Sequence, residues 1–227
     1  MARKPMTAEA FMTELARDAQ YLERIEKEDQ RLAQEEARLS QDERPIVADL
    51  VALGLHVASI WDLVNSESDY SLAVPSLLRH LNFPYVKKNK EGIIRSLAAP
   101  FARGVAGRQL IRLFRAERDD DLRWVMGNTL SVVADAGDVE DIISLLEDRR
   151  YGFSRSELPF GVTRILKEDS IPYLIRLLEN DDLLVSAIAC LGKLKAQTSA
   201  DKISEFVEHP ESEVRKTAKK ALKYLGI

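Results

Sequence analysis

Val214-Arg215-Lys216-Thr217-Ala218-Lys219-Lys220-Ala221-Leu222 sets Val214, Ala218, Ala221 and Leu222 on one face of a helix, joined a turn later by Leu225. Apolar residues three and four apart mark an amphipathic helix. Upstream, the same offsets recur in Leu183, Ala187, Cys190, Leu191 and Leu194, and again in Leu122, Met126, Thr129, Leu130 and Val133. Small residues at such places let a paired helix approach closely, and branched ones fill the groove. Ahead of these stretches lies a second kind of apolar set: Val74 to Leu81, Leu110 to Phe114, Ile142 to Leu146, Leu174 to Leu178 and, more weakly, Ile203 to Val207. Aligned on Leu78, Ile111, Ile143 and Ile175, the first set steps by 33, 32 and 32 residues. Aligned on Leu97, Leu130, Val162, Leu191 and Leu222, the second steps by 33, 32, 29 and 31. Two registers that agree on nearly one period predict five helix pairs, over 74–104, 105–136, 137–168, 169–197 and 198–227. One pair cannot bury its own apolar face, so its neighbours must stack on it.

Composition agrees. In 227 residues there are 10 glycines and 8 prolines, below the share of about 12% that average usage would give. A fold of many short strands needs more turn residues than that. Charged residues at 31% beside 45% hydrophobic ones suit amphipathic helices and argue against global disorder. The net charge of -4 disfavours a general binder of polyanions, though not a local basic patch. A single cysteine permits no internal disulfide and no thiolate metal cluster, which fits a reducing compartment. Glu9, Glu14 and Asp18 interrupt any apolar region behind Arg3 and Lys4, and the uncharged run Leu50 to Trp61 is too short to span a bilayer. A soluble, cytoplasmic protein is expected.

The run Glu213-Val-Arg-Lys-Thr-Ala-Lys-Lys-Ala-Leu222, with Ile188-Ala-Cys-Leu-Gly-Lys-Leu194, resembles the second helix of bacterial HEAT-like repeats, the short kind associated with phycobilisome lyases. The period is shorter than that of ordinary HEAT repeats, and the signatures of ankyrin and tetratricopeptide repeats are absent. The resemblance covers about 74–227 and implies an all-α fold: a right-handed α-α superhelix of the HEAT/armadillo-like solenoid class. The repeats alone do not carry lyase activity, since their motif residues are packing residues.

Residues 1–73 do not match the repeat and read as a divergent N-terminal helical cap. Phe11, Leu15, Tyr21, Leu22, Ile25, Leu32 and Leu39 predict a long charged helix from about Thr7, its N-cap, with Glu9 in the first turn, to Ser40. Pro45 is expected to open a separate helix, Ile46 to Leu53, with Gly54 just past its end. A short helix over Ser59 to Val64 and a loop over Asn65 to Asp69 follow. Solenoid ends are commonly atypical because they cap the stack. The alternative is an interaction arm that pairs with another chain.

No catalytic constellation stands out. His56, His80 and His209 have no metal-ligand spacing, and Cys190 falls on a small-residue core position, so neither a metal nor a cofactor is expected. Gly104-Val-Ala-Gly107 lacks the Gly-Lys-Ser/Thr of a phosphate loop and reads as a break between repeats. Asp119-Asp120-Asp121 and Asn180-Asp181-Asp182 are expected to cap the helices that begin at Leu122 and Leu183.

HEAT-like solenoids line their concave face with the second helices. There the chain places Lys90, Arg123, Arg155, Leu184 and Arg215 in one column, and the resemblance implies that such cations pair with turn aspartates of a neighbouring repeat. Beside the column, Arg95, Arg123, Trp124, Asn128, Arg155 and Phe160 form a candidate partner-binding patch, because aromatic residues and arginine make strong interface anchors. The reading is a non-catalytic protein-binding scaffold. A nucleic-acid-binding or DNA-repair protein of the same architecture is an alternative: some HEAT-like proteins are glycosylases, and the C-terminal end is lysine-rich. Asp201, Glu205, Glu208, Glu211 and Glu213 offset much of that charge. An immunity- or antitoxin-type inhibitor of another protein is the second alternative.

Overall fold

The structure, a computed structural model, describes residues 19–64 and 66–227. Thr7, Glu9, Phe11, Leu15 and Asn65 lie outside the described residues. Among the described residues there are twelve α-helices, several short 3-10 turns and no strand. Helix α1 runs Ala19–Ala52 and α2 runs Trp61–Val64. Five pairs follow: α3 (Val74–His80) with α4 (Lys87–Ser96), α5 (Gly107–Ala116) with α6 (Asp120–Val133), α7 (Val139–Glu147) with α8 (Leu158–Leu166), α9 (Ile171–Leu177) with α10 (Leu184–Lys193), and α11 (Ala200–Ser204) with α12 (Ser212–Leu225).

Within each pair the leading helix packs on the trailing one, and each trailing helix packs on the next trailing helix. The trailing helices therefore form a continuous layer. Their aligned residues Leu97, Leu130, Val162, Leu191 and Leu222 are all buried in one apolar cluster. Each fully buried leucine contributes about 1.5–3 kcal/mol by leaving water. In the leading helices the deepest residues are Leu77, Leu110, Ile142, Leu174 and Ile203, while Leu78, Ile143 and Ile175 are only half-buried. The period is thus kept, but the inward register sits one residue earlier than Leu78, Ile143 and Ile175, while at the second pair Leu110 and Ile111 are both buried. Adjacent apolar residues occupy both positions, and contact with the trailing layer selects the first. Close approach between trailing helices depends on Gly192, where an added Cβ would lie 2.7 Å from the Ala221 Cβ and 2.8 Å from its Cα.

The N-terminal region differs from its expected form. Pro45 does not start a new helix but sits exposed inside α1. Proline removes one backbone donor and crowds the preceding turn, which normally breaks a helix. Here side chains on both sides of Pro45 tie the axis to the body. The Asp42 carboxylate accepts from the Val86 N–H (3.1 Å) and the Asn89 amide (2.8 Å). Buried Glu43 accepts from the Ser59 hydroxyl and the Ile60 N–H, both at 2.9 Å, and Ile46 and Leu50 are fully buried. Gly54, at φ +86°, ends the helix in the left-handed conformation that glycine adopts without strain. The Leu55 N–H donates back to the Leu50 carbonyl and the Gly54 N–H to that of Val51, the Schellman pattern.

One polar chain fastens α1 to the first pair. Buried His80 has Nε2 2.6 Å from Asp49 Oδ2 and Nδ1 2.6 Å from the Tyr85 hydroxyl. Arg79 also donates to Asp49, at 2.5 Å. The His80 hydrogen bond, with that of Arg79, holds the Asp49 carboxyl below its ordinary range.

Candidate functional site

The cation column resolves into a structural device. Arg123 donates to the Glu117 carbonyl at the end of α5 and to the Asp120 carboxylate. Arg215 donates to the His209 and Pro210 carbonyls, both at 2.6 Å. Arg155 donates to the Leu146 carbonyl in the last turn of α7 (2.5 Å), to the Gly152 carbonyl (3.0 Å) and to Asp182 of the following pair (2.9 Å). Carbonyls past the end of a helix lack intrahelical donors, and a guanidinium supplies several at once. Lys90 reaches Glu117 at 3.0 Å.

This removes two residues from the expected contact patch. Arg155 is 0% exposed and each of its three guanidinium nitrogens already donates within the chain, so no partner can reach it. Arg123 is buried beneath Tyr151, its guanidinium carbon 5.3 Å from the ring centroid. Asp182 is likewise spent on Arg155; α10 begins after Leu183 with no side-chain cap, contrary to the expected role of that aspartate. Asp119 does cap α6, accepting from the Asp121 and Leu122 N–H groups at 3.0 Å each.

Arg95 and Trp124 do come together, on the rim of a cleft of about 520 Å³ between α4, the start of α6 and the segment Arg149–Arg155. Helix α4 supplies Lys87, Glu91 and Arg95, four residues apart and so on one face. Helix α6 supplies Asp120, Asp121, Trp124 and Val125. Arg95 pairs with Glu91 at 2.7 Å and stands 5.9 Å from the Trp124 ring centroid; the Trp124 indole donates to the Ser156 hydroxyl at 3.2 Å. Lys87 bridges Asp119 (2.8 Å) and Asp121 (2.6 Å), and those hydrogen bonds raise its ammonium above the ordinary range.

The third wall was missed by sequence reasoning. Asp148 accepts from the Arg150 backbone and guanidinium, and the latter bond draws its carboxyl down to about 2. Tyr151 turns inward onto Phe114, edge to face at 5.1 Å. Gly152 then takes φ +47°, ψ -137°, which points the chain so that Phe153 stands 66% exposed at the rim. The available signal was the tripeptide Tyr151-Gly152-Phe153: two aromatic residues around a glycine in a connector. Asn128 and Phe160 do not line this cleft. Asn128 is partly exposed, and Phe160 is half-buried with the Lys193 ammonium 4.9 Å from its ring centroid.

The cleft can bind by apolar contact and hydrogen bonding. Its cations Lys87, Arg95 and Arg150 are matched by Glu91, Asp120 and Asp121, and each cation already has an acidic partner. Among the described residues no group of three His, Cys, Asp or Glu side chains could hold a metal ion. Burial pushes the Cys190 thiol up to about 11, which leaves it protonated and inert. Among the described residues no helix is long and apolar enough to cross a membrane. Compared with protein-family models, curated proteins and solved structures, the chain matches none of them.

Proposed function

We propose that the chain is a non-catalytic protein-binding scaffold: its stacked pairs form a right-handed HEAT-like superhelix, and the cleft beside Trp124 receives a segment of a partner protein. The observation that carries this reading is Phe153, a large ring held two-thirds in solvent next to the half-buried Trp124. An exposed aromatic side chain costs solvation free energy that a partner would recover, and aromatic residues with nearby arginine dominate interface energetics. The nucleic-acid alternative is less well supported, because the cleft's cations are balanced and paired, whereas phosphate binding needs cations in excess.

The test is partner capture by the full chain carrying Phe153→Ala and Trp124→Ala, after showing that helicity and melting match the parent. Affinity for the captured protein is expected to fall at least about tenfold, which is roughly 1.4 kcal/mol. Undiminished capture by the folded double variant would remove the cleft from the account. Duplex DNA binding that collapses between low and moderate salt would favour the nucleic-acid reading instead.

A further inference from the structure

Helix α1 carries a second surface, separate from the cleft. Its C-terminal third packs one face, carrying Glu43, Ile46 and Leu50, into the body, but residues 22–38 include no buried side chain. Along residues 22–38 the apolar residues continue the line that the body uses. Ile25, Leu32, Leu39 and Ile46 are seven residues apart, with Leu22 on the adjacent row. Ile46 is fully buried, whereas Leu22, Ile25 and Leu32 are 47%, 40% and 52% exposed. A seven-residue apolar repeat is the seam along which one helix packs on another.

The charges beside the seam are segregated by sign. In heptad terms, with Ile25 and Leu32 at d, the flanking and seam positions hold Glu26, Glu28, Asp29, Glu35 and Glu36. No lysine or arginine occupies those rows between residues 20 and 40. The basic residues Arg24, Lys27, Arg31 and Arg38 all fall on the far side of the helix. From there Arg31 and Arg38 grip Glu28 and Glu35 with paired hydrogen bonds of 2.6–3.0 Å, which fixes those carboxylates in place. Asp29 and Glu36 lie within the seam itself, one turn from Leu32 on either side.

We infer that this face docks a basic amphipathic helix of a partner protein, with apolar residues against Leu22, Ile25 and Leu32 and lysines or arginines opposite Asp29 and Glu36. The sign pattern decides the occupant. A second copy would set Asp29 and Glu36 against their own counterparts in the seam of a parallel pair, and Glu28 against Glu35 across the flanks of an antiparallel one, and such like-charge contacts oppose association. An anionic membrane surface is excluded by the same repulsion. Only a partner of opposite charge satisfies both the seam and its flanks. Residues 22–38, about 26 Å at 1.5 Å per residue, span between two and three heptads.

The probe is a labelled three-heptad peptide with Leu at d and at its first a position and Lys at the other a positions and at e and g, compared by fluorescence anisotropy with the same peptide bearing Glu in place of every Lys. Like-charge repulsion keeps each peptide from pairing with itself. The full chain is expected to bind the lysine peptide at least about tenfold more tightly than the glutamate peptide. Ile25→Ser with Leu32→Ser, and separately Asp29→Lys with Glu36→Lys, should each abolish that preference at unchanged melting temperature. Arg24→Gln with Lys27→Gln, on the far side, should alter binding less than about twofold. Equal binding of the two peptides, or a preference that survives the seam variants, would overturn the proposal. So would sedimentation of the parent as a dimer that Leu32→Ser dissociates, since the occupant would then be a second copy.

Discussion

Helix α12 and the solvent-facing stretch of α1 over residues 22–38 are built from the same kind of sequence and end in opposite situations. Both are charge-dense and both carry an apolar stripe at helical spacing. In α12, Val214, Ala218, Ala221, Leu222 and Leu225 are buried, chiefly against α10 across the Gly192–Ala221 crossing. In α1, Leu22, Ile25 and Leu32 face solvent. The stripe states that a helix has a face to cover; it does not state what covers it. Residue size separates the two. Alanines in α12 suit a backbone-to-backbone approach within one chain, whereas the leucines of α1 with carboxylates in the seam suit a longer-range, charge-selected contact.

That contrast can be broken at the core end first. Leu191→Asp places a carboxylate in the layer between α8, α10 and α12, where it would be stripped of water with no partner. A loss of about 4 kcal/mol or more, seen as collapse of the cooperative melt by circular dichroism, is expected. A variant that melts like the parent would mean that the trailing helices do not form the buried layer.

Arg155→Ala is expected to cost about 2–4 kcal/mol in chemical denaturation, because it leaves a cavity and takes the donors from the Leu146 and Gly152 carbonyls, while Asp182, 42% exposed, can turn to water. Arg150→Ala, five residues away with its side chain 86% exposed, serves as the control and should shift stability by less than about 0.5 kcal/mol. Similar losses for the two would contradict the division between buried and rim arginines. The smallest effect belongs to the arm: Leu32→Ser should move the urea midpoint of the body by less than about 0.5 kcal/mol equivalent. A larger shift would show that the stripe is already covered within the chain.

What could be read from residues alone divides along the same physical line. Helix content from Val74 onward was legible because apolar spacing of three and four residues repeats through Leu130, Leu191 and Leu222. Which of Leu77 and Leu78, or Ile142 and Ile143, points inward was not, since both are apolar and only tertiary contact chooses. Pro45 misled because local propensity was overridden by Asp42 and Glu43, whose partners lie 16 to 47 residues away. In the site, Arg95 and Trp124 were found by their place on the trailing helices. Arg155 stood in both readings, the paired column and the contact patch; its bond to Asp182 of the next pair agrees with the first, and its burial removes it from the second. Phe153 was overlooked because a positive φ at Gly152, not any apolar period, sets its direction.

The ion pairs that link successive helix pairs share a direction. Lys87 and Lys90 of the first pair reach Asp119, Asp121 and Glu117; Arg115 of the second reaches Asp141; Arg155 of the third reaches Asp182. In each, the cation comes earlier in the chain and the carboxylate later. A polypeptide made from its N-terminus therefore releases the cation first in each of these links between pairs. Arg155, the most deeply buried of them, must wait through another 27 residues of synthesis for Asp182. Until the fourth pair is made, Arg155 holds only the Leu146 and Gly152 carbonyls of its own pair, and the ion pair that ties the third pair to the next one waits.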